Sequence, residues 1–297
     1  MSAPRTAAFR ADSLGRHVIR AHRALAVVLL GVAGVLAAPL EAAEAPATVR
    51  LYAMDCGHMN FKDLAFFSDT LEFEGKSGSI AVPCFLIRHP KGNLLWDTGL
   101  SPDFAKRSDA DGISGAIDVP VTTTLQQVGL TPADIKYVGF SHFHADHTGN
   151  ANVFTSSTWI INKAELAWAV AEGPTGPVEP DTFSAYTKVK TQMITGDYDV
   201  FGDGSVRIIL TPGHTPGHSA LMLKLKKTGT VLLSGDLYHF RRDRENRYVM
   251  GVNTNRADTL ASFDRFEKIA KNTHARVIIQ HDPDDFKALP KFPAYLE

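Results

Sequence analysis

Ser141-His142-Phe143-His144-Ala145-Asp146-His147 sets three imidazoles and a carboxylate within six residues, in the pattern His-x-His-x-Asp-His. The apolar run Tyr137-Val138-Gly139-Phe140 stands directly before it and reads as a strand that stops in a ligand-dense loop. Such an ending suits first-row metal ions: the strand fixes where the loop starts, and the open turn lets alternate side chains converge. His142 and His144 can point to one side while Asp146 and His147 turn toward a second position. The bland alternative is a polar turn whose histidines cap a helix over Thr148 to Phe154, so the motif needs confirming context.

Three further apolar runs supply that context. Val206 to Leu210 leads into Thr-Pro-Gly-His214, Thr230 to Ser234 into Gly-Asp236, and Ala275 to Gln280 into His281-Asp282-Pro283. Short β-branched runs ending in Gly, Pro or Asp are strand-then-turn signals. Four strand ends therefore deliver His142, His144, Asp146, His147, His214, Asp236 and His281. In this combination the residues resemble the metallo-β-lactamase superfamily, in its dinuclear hydrolase branch, over most of residues 48–284. The resemblance implies that His142, His144 and His214 bind one metal, that Asp146, His147 and His281 bind the other, and that Asp236 bridges them.

Neutral imidazoles and carboxylates suit Zn2+, and two Zn2+ ions are the expectation, with Co, Mn or Fe as substitutes. Two such ions carry +4; Asp146, Asp236 and a bridging hydroxide return −3, which leaves about one positive charge for an electron-rich carbonyl and an anionic product. A metal lowers the pKa of bound water from 15.7 toward about 7, so hydroxide is at hand at neutral pH. Lactone and ester opening, phosphoester cleavage and amide hydrolysis all fit such a site.

Three features narrow the choice. The β-lactamases of the superfamily place Cys or Ser where this chain has Asp236. Sixteen residues follow His281, too few for the helical glutathione-binding domain of glyoxalase II-like thioesterases. Gly235-Asp236-Leu-Tyr238-His239-Phe240, Asn253-Thr-Asn255 and Ile279-Gln-His-Asp282 look like the N-acyl homoserine lactonase group. That resemblance implies a small lactone or ester substrate with an apolar tail, and a quorum-quenching role. The best-known lactonases of that group carry a tyrosine three residues after the bridging aspartate, hydrogen-bonded to the lactone carbonyl. This chain has His239 there and Tyr238 one residue earlier, and either is a candidate for the contact. Asp146 is a candidate for passing a proton to the leaving alkoxide. The rivals are a phosphotriesterase or aryl esterase of the same fold, a mononuclear iron enzyme like the persulfide dioxygenases, and a non-catalytic zinc protein.

With 297 residues and 44% apolar content the chain can bury one large core. A net charge of −1 without a basic run past the N-terminus argues against nucleic acid. Arg5, Arg10, Arg16, Arg20 and Arg23 precede the uncharged stretch Ala24 to Ala38 and small residues near Leu40 to Glu44, the layout of a signal peptide over residues 1–43. Fifteen apolar residues are short for a membrane span. The expectation is a periplasmic or secreted hydrolase domain over 44–297, not inserted in a membrane after cleavage and compatible with a homodimer. Removing five arginines and two acids leaves that part at −4. Cys56 and Cys84 read equally well as one disulfide or as two buried thiols.

The remaining pattern alternates strands and helices. Thr48 to Met54 is a strand, residues 56–79 a loop rich in phenylalanine, and Ile80 to Arg88 with Asn93 to Trp96 a hairpin. Asp97-Thr98-Gly99 ends it, with Asp97 a candidate partner for a metal-bound histidine. Residues 101–124 look irregular, Lys163 to Glu172 helical, and 173–180 a proline-rich insertion. Arg256 to Asn272 carries a helical stripe. His218 reads as a support residue, and His58, His89 and His274 as ordinary histidines. The sum is an α/β chain built as an αββα sandwich.

Overall fold

Alternation along the strands decides which layer each side chain joins. The structure, a computed structural model, describes residues 46–171 and 176–297. The expected signal segment lies outside the described residues, as do residues 172–175 of the proline-rich insertion. β1 (Arg50–Phe61), β2 (Gly78–His89), β3 (Gly92–Trp96), β4 (Ile113–Ala116), β5 (Ile135–Gly139), β6 (Thr158–Asn162) and β7 (Lys190–Ile194) form one sheet in the order β4-β1-β2-β3-β5-β6-β7. β8 (Tyr198–Asp199), β9 (Val206–Leu210), β10 (Ser219–Leu225), β11 (Gly229–Leu233) and β12 (Arg276–Ile278) form the second, in the order β12-β11-β10-β9-β8.

Successive strand side chains point to opposite faces. Phe85, Ile87, Leu94 and Trp96 of the first sheet meet Leu221, Leu223, Val231 and Leu233 of the second in one buried cluster. The outer face of the first sheet, with Leu86, Leu95 and Trp159, packs Val121 and Leu125 of α1 (Val121–Gln126). α2 (Ala145–Thr148), α3 (Lys163–Ala169) and α4 (Arg241–Asn246) are short. The outer face of the second sheet, with Ala220, Met222 and Leu232, packs Phe263, Phe266 and Ala270 of α5 (Arg256–Thr273). Asn255 caps α5 by accepting from the Asp258 N–H, and α6 (Pro283–Lys287) follows the last strand. The layers run helix, sheet, sheet, helix, as the strand pattern predicts. No helix among the described residues is long and apolar enough to cross a membrane.

Strand direction then gathers the chain's polar loops. β3 and β5 pair in parallel, so the turns after Trp96 and Gly139 leave the same edge. β9 and β11 both run antiparallel to β10, and β12 runs parallel to β11. The loops after Leu210, Leu233 and Ile278 therefore also share one edge.

Two readings need correction. The stretch after Met54 is not all loop, because β1 continues to Phe61 before the short helical turn Ala65–Phe67. Residues 101–124 contain β4, an edge strand paired with the end of β1. Cys56 and Cys84 are bonded and join β1 to β2, which the open choice between disulfide and thiols had left unsettled. The bridge closes a loop of 28 residues. Replacing both cysteines with alanine should lower the unfolding free energy by about 3 kcal/mol in denaturant titrations; an unchanged midpoint would mean that the bond constrains nothing.

Candidate metal centre

At the shared edge, seven side chains turn their polar atoms inward. His142 Nε2 and His214 Nε2 lie 2.9 and 3.1 Å from His144 Nδ1. His147 Nε2 lies 3.1 Å from His281 Nε2, and Asp146 Oδ2 stands 3.5 and 3.6 Å from the two. Asp236 sits between the trios. Its Oδ2 is 3.6 Å from His142 and 3.4 Å from His214, and its Oδ1 is 3.2 Å from His147 and 3.0 Å from His281. The two groups expected from the sequence, one with His142, His144 and His214 and one with Asp146, His147 and His281, are thus brought together about Asp236.

The chemistry of these donors fits a pair of divalent cations. His147 Nδ1 donates to Asp97 Oδ2 at 3.0 Å, His214 Nδ1 to Asn253 Oδ1 at 2.8 Å and His281 Nδ1 to the Ala81 carbonyl at 2.6 Å. A neutral imidazole that donates from one nitrogen presents a lone pair on the other, and here the free ring nitrogens face one another. Nitrogen lone pairs about 3 Å apart repel unless positive charge lies between them. Asp236 Oδ1 is buried and receives no hydrogen bond.

Burial holds the His142 and His214 imidazoles well below their ordinary pKa, and His144 down to about 4. For His147 burial acts the same way, but Asp236, Asp146 and Asp97 outweigh it and raise the pKa well above the usual value. His281 is raised in the same manner, against burial, chiefly by Asp236. Burial alone would lift the Asp236 carboxyl, yet His281, His147, His142 and His239 hold it far below the carboxylate range. One trio offers neutral nitrogen donors, and the field at the other favours positive charge.

Further side chains aim these ligands. Asp97, at the end of β3, has a left-handed backbone (φ 58°) and accepts four hydrogen bonds. Its Oδ1 takes the Ser141 N–H, and its Oδ2 takes the Ser141 hydroxyl, His147 Nδ1 and Gln280 Nε2, all at 2.7–3.0 Å. That network holds the non-glycine strain in place. Thr98 N–H and hydroxyl both donate to the His147 carbonyl. Gly149 is needed for close approach, since a Cβ there would stand 2.2 Å from the Ser101 nitrogen. His218 donates from Nδ1 to the Thr211 carbonyl and accepts the Asp236 N–H at Nε2, 2.9 Å each. Asn253 and Gln280 entered the sequence reading only within the motifs Asn253-Thr-Asn255 and Ile279-Gln-His-Asp282, with no task assigned to either.

Tyr238 and His239 separate. His239 Nε2 lies 3.0 Å from Asp236 Oδ2, and its ring faces a cavity of about 600 Å³. Tyr238 is 1% exposed, stacks on Phe263 and donates its hydroxyl to Glu267 at 3.2 Å. The backbone at Tyr238 is extended, so adjacent side chains point opposite ways and only one can face the site. Tyr238 as a substrate contact is therefore corrected. Beyond the metal donors the cavity is lined by Met59, Phe61, Phe66, Phe67, Phe104 and Met250 among others, so the phenylalanine-rich stretch after β1 is one of its walls.

Asp243 steadies this corner by accepting the N–H groups of His239 and Phe240 at Oδ2, while its buried Oδ1 has no partner. Burial pushes its carboxyl from 3.8 up to about 6. An acid raised on folding adds its full stability below its unfolded value and loses it as the pH climbs through the folded one. In urea titrations of metal-free protein, Asp243→Asn should gain on the parent by roughly 2 kcal/mol between about pH 4 and pH 6.5. A difference that stays constant over that range would contradict it.

The profile described as the metallo-beta-lactamase superfamily matches residues 78–281. The chain belongs to that superfamily. Within it the chain is similar to the N-acyl homoserine lactonase AttM of Rhizobium radiobacter, at 31% identity over 83% of this chain and 99% of that protein. AttM of Azorhizobium caulinodans is 29% identical over 84% and 99%. Among solved structures, a quorum-quenching N-acyl homoserine lactone hydrolase superposes with a TM-score of 0.75 at 25% identity, over 84% of this chain and 99% of that one.

Proposed function

We propose that this metal-dependent hydrolase opens the lactone ring of N-acyl homoserine lactones at a dinuclear zinc centre. His142, His144 and His214 would hold one ion, Asp146, His147 and His281 the other, with Asp236 shared. The observation that carries the reading is the position of Asp236, between two donor trios at the floor of an apolar cavity. The N-acyl homoserine lactonases among the relatives support the substrate class. His281, 3.1 Å from His147 and 3.0 Å from Asp236, supports two ions over a mononuclear iron centre.

Bound, the ions supply Lewis acidity and a hydroxide nucleophile at neutral pH. The chain's own groups do the rest. The six aromatic and thioether side chains of the cavity wall take the acyl tail out of water, worth about 0.8 kcal/mol per methylene, and so seat the ring over the donors. His239, whose Nε2 lies 3.0 Å from Asp236 Oδ2, would turn that N–H from the carboxylate to the lactone carbonyl, where negative charge develops as water adds. Asp146, whose carboxylate is partly open to the cavity, would take up the proton left on the water oxygen that adds to the carbonyl and pass it to the alkoxide released when the ring C–O bond breaks. The product is a carboxylate and a hydroxyl, with one proton set free.

Residues 1–43 would direct export, giving a periplasmic or secreted domain over 44–297. A disulfide between Cys56 and Cys84 supports an oxidising compartment.

Proton release by the zinc-loaded protein should be fast with acyl homoserine lactones and should rise with chain length until the cavity is filled. Nitrocefin, paraoxon and a glutathione thioester should be poor. Faster turnover of paraoxon than of every lactone would replace this reading with a phosphotriesterase. His239→Ala should lower kcat/KM roughly 10²-fold, whereas Tyr238→Phe should leave kinetics unchanged and cost about 1 kcal/mol of stability. The reverse pattern would remove His239 from the mechanism.

A further inference from the structure

Glu165, the third residue of α3, is 2% exposed, yet its carboxylate belongs neither to the donor trios nor to the cavity wall. Its two oxygens are divided between two loops. Oε1 accepts the N–H of Phe143 and Oε2 the N–H of Gly217, each at 2.8 Å. Phe143 lies between His142 and His144, in the loop after β5. Gly217 lies between His214 and His218, in the turn joining β9 to β10. One buried carboxylate therefore clasps the two loops, from different sheets, whose imidazoles meet at His144.

The clasp is built at close quarters. Asn162 caps α3 by accepting the N–H groups of Ala164 and Glu165, which fixes where the carboxylate starts. At Gly217 a Cβ would stand 2.6 Å from both the Cβ and the nitrogen of Glu165, so that turn can approach α3 only as glycine. Loops held solely by packing would be served as well by an apolar side chain here, without the cost of burying a carboxyl group. A carboxylate accepting one amide from each loop sets the spacing of both.

We infer that Glu165 is a positioning residue that fixes the His142–His144 loop against His214, and thereby the geometry of the first metal position. The inference rests on the metal reading of the site and adds to it a group that touches neither metal nor substrate. Supports of this kind typically alter metal affinity 10- to 100-fold.

The test uses the full chain loaded with Co2+, a chelator competition for affinity, the visible cobalt spectrum, and amide exchange at Phe143 and Gly217 in metal-free protein. Glu165→Gln keeps the size but turns an NH2 group toward one of the two amides. The expected result is cobalt held roughly 10- to 100-fold more weakly, an altered spectrum, kcat lowered more than KM, and faster exchange at both amides. Should Glu165→Gln fail to fold, Glu165→Asp keeps the charge but is one methylene shorter, and should show the same losses. Tyr238→Phe removes a hydrogen bond and some stability away from the clasp, and should keep cobalt as the parent does. A Glu165 variant with parental cobalt affinity and spectrum and only a lower Tm overturns the inference, as does an equal loss of affinity in Tyr238→Phe. If the parent itself takes up no cobalt, the metal reading fails, and amide exchange still decides whether Glu165 clasps the loops.

Discussion

Asp236 is a buried carboxylate flanked on both sides by imidazole nitrogens at 3.0–3.6 Å, and its Oδ1 receives no hydrogen bond. Gathering so many polar atoms in the interior is strongly unfavourable when they are left to face one another. Positive charge placed between the trios reverses the balance, because every lone pair then has a partner. The surrounding structure makes sense as what is needed to hold that arrangement before any cation arrives. Asp97 aims His147, Asn253 aims His214, the Ala81 carbonyl aims His281, and His218 grips the backbone of Asp236.

The sheets make the gathering feasible. Parallel pairing of β3 with β5, and of β11 with β12, brings the ends of strands distant in sequence to one edge. The two sheets meet over a shared apolar core, so the loops of one edge face those of the other. Direct bonds then cross between them: Ser219 N–H to the Ser141 carbonyl, Gln280 to Asp97, and Ala81 N–H to the His281 carbonyl. The disulfide lies beneath, with the Leu100 N–H donating to the Cys56 carbonyl just past the Asp97 turn.

Much of this could be read from residue order, and for a physical reason. A ligand that follows an apolar β-branched run and a Gly or Pro is marked twice, by strand and by turn, and β9 matches its expected bounds to the residue. What escaped had no such mark. β7 is an edge strand with four exposed residues and no alternation, β8 has two residues, and α4 is polar along its length. Neighbouring Tyr238 and His239 cannot be assigned to a face until the strand and α5 fix which side is cavity. The cysteines, 28 residues apart, pair only because β1 and β2 are neighbours. Glu165 was invisible, since its partners are backbone amides and carry no sequence signature.

Counting the metal bound to purified protein tests the central claim most directly, through zinc analysis together with anomalous scattering in a crystal. The account predicts two ions per chain, one on each side of Asp236, with His281→Ala retaining only the ion held by His142, His144 and His214. A single ion in the parent chain, or two ions that do not share Asp236, would contradict it.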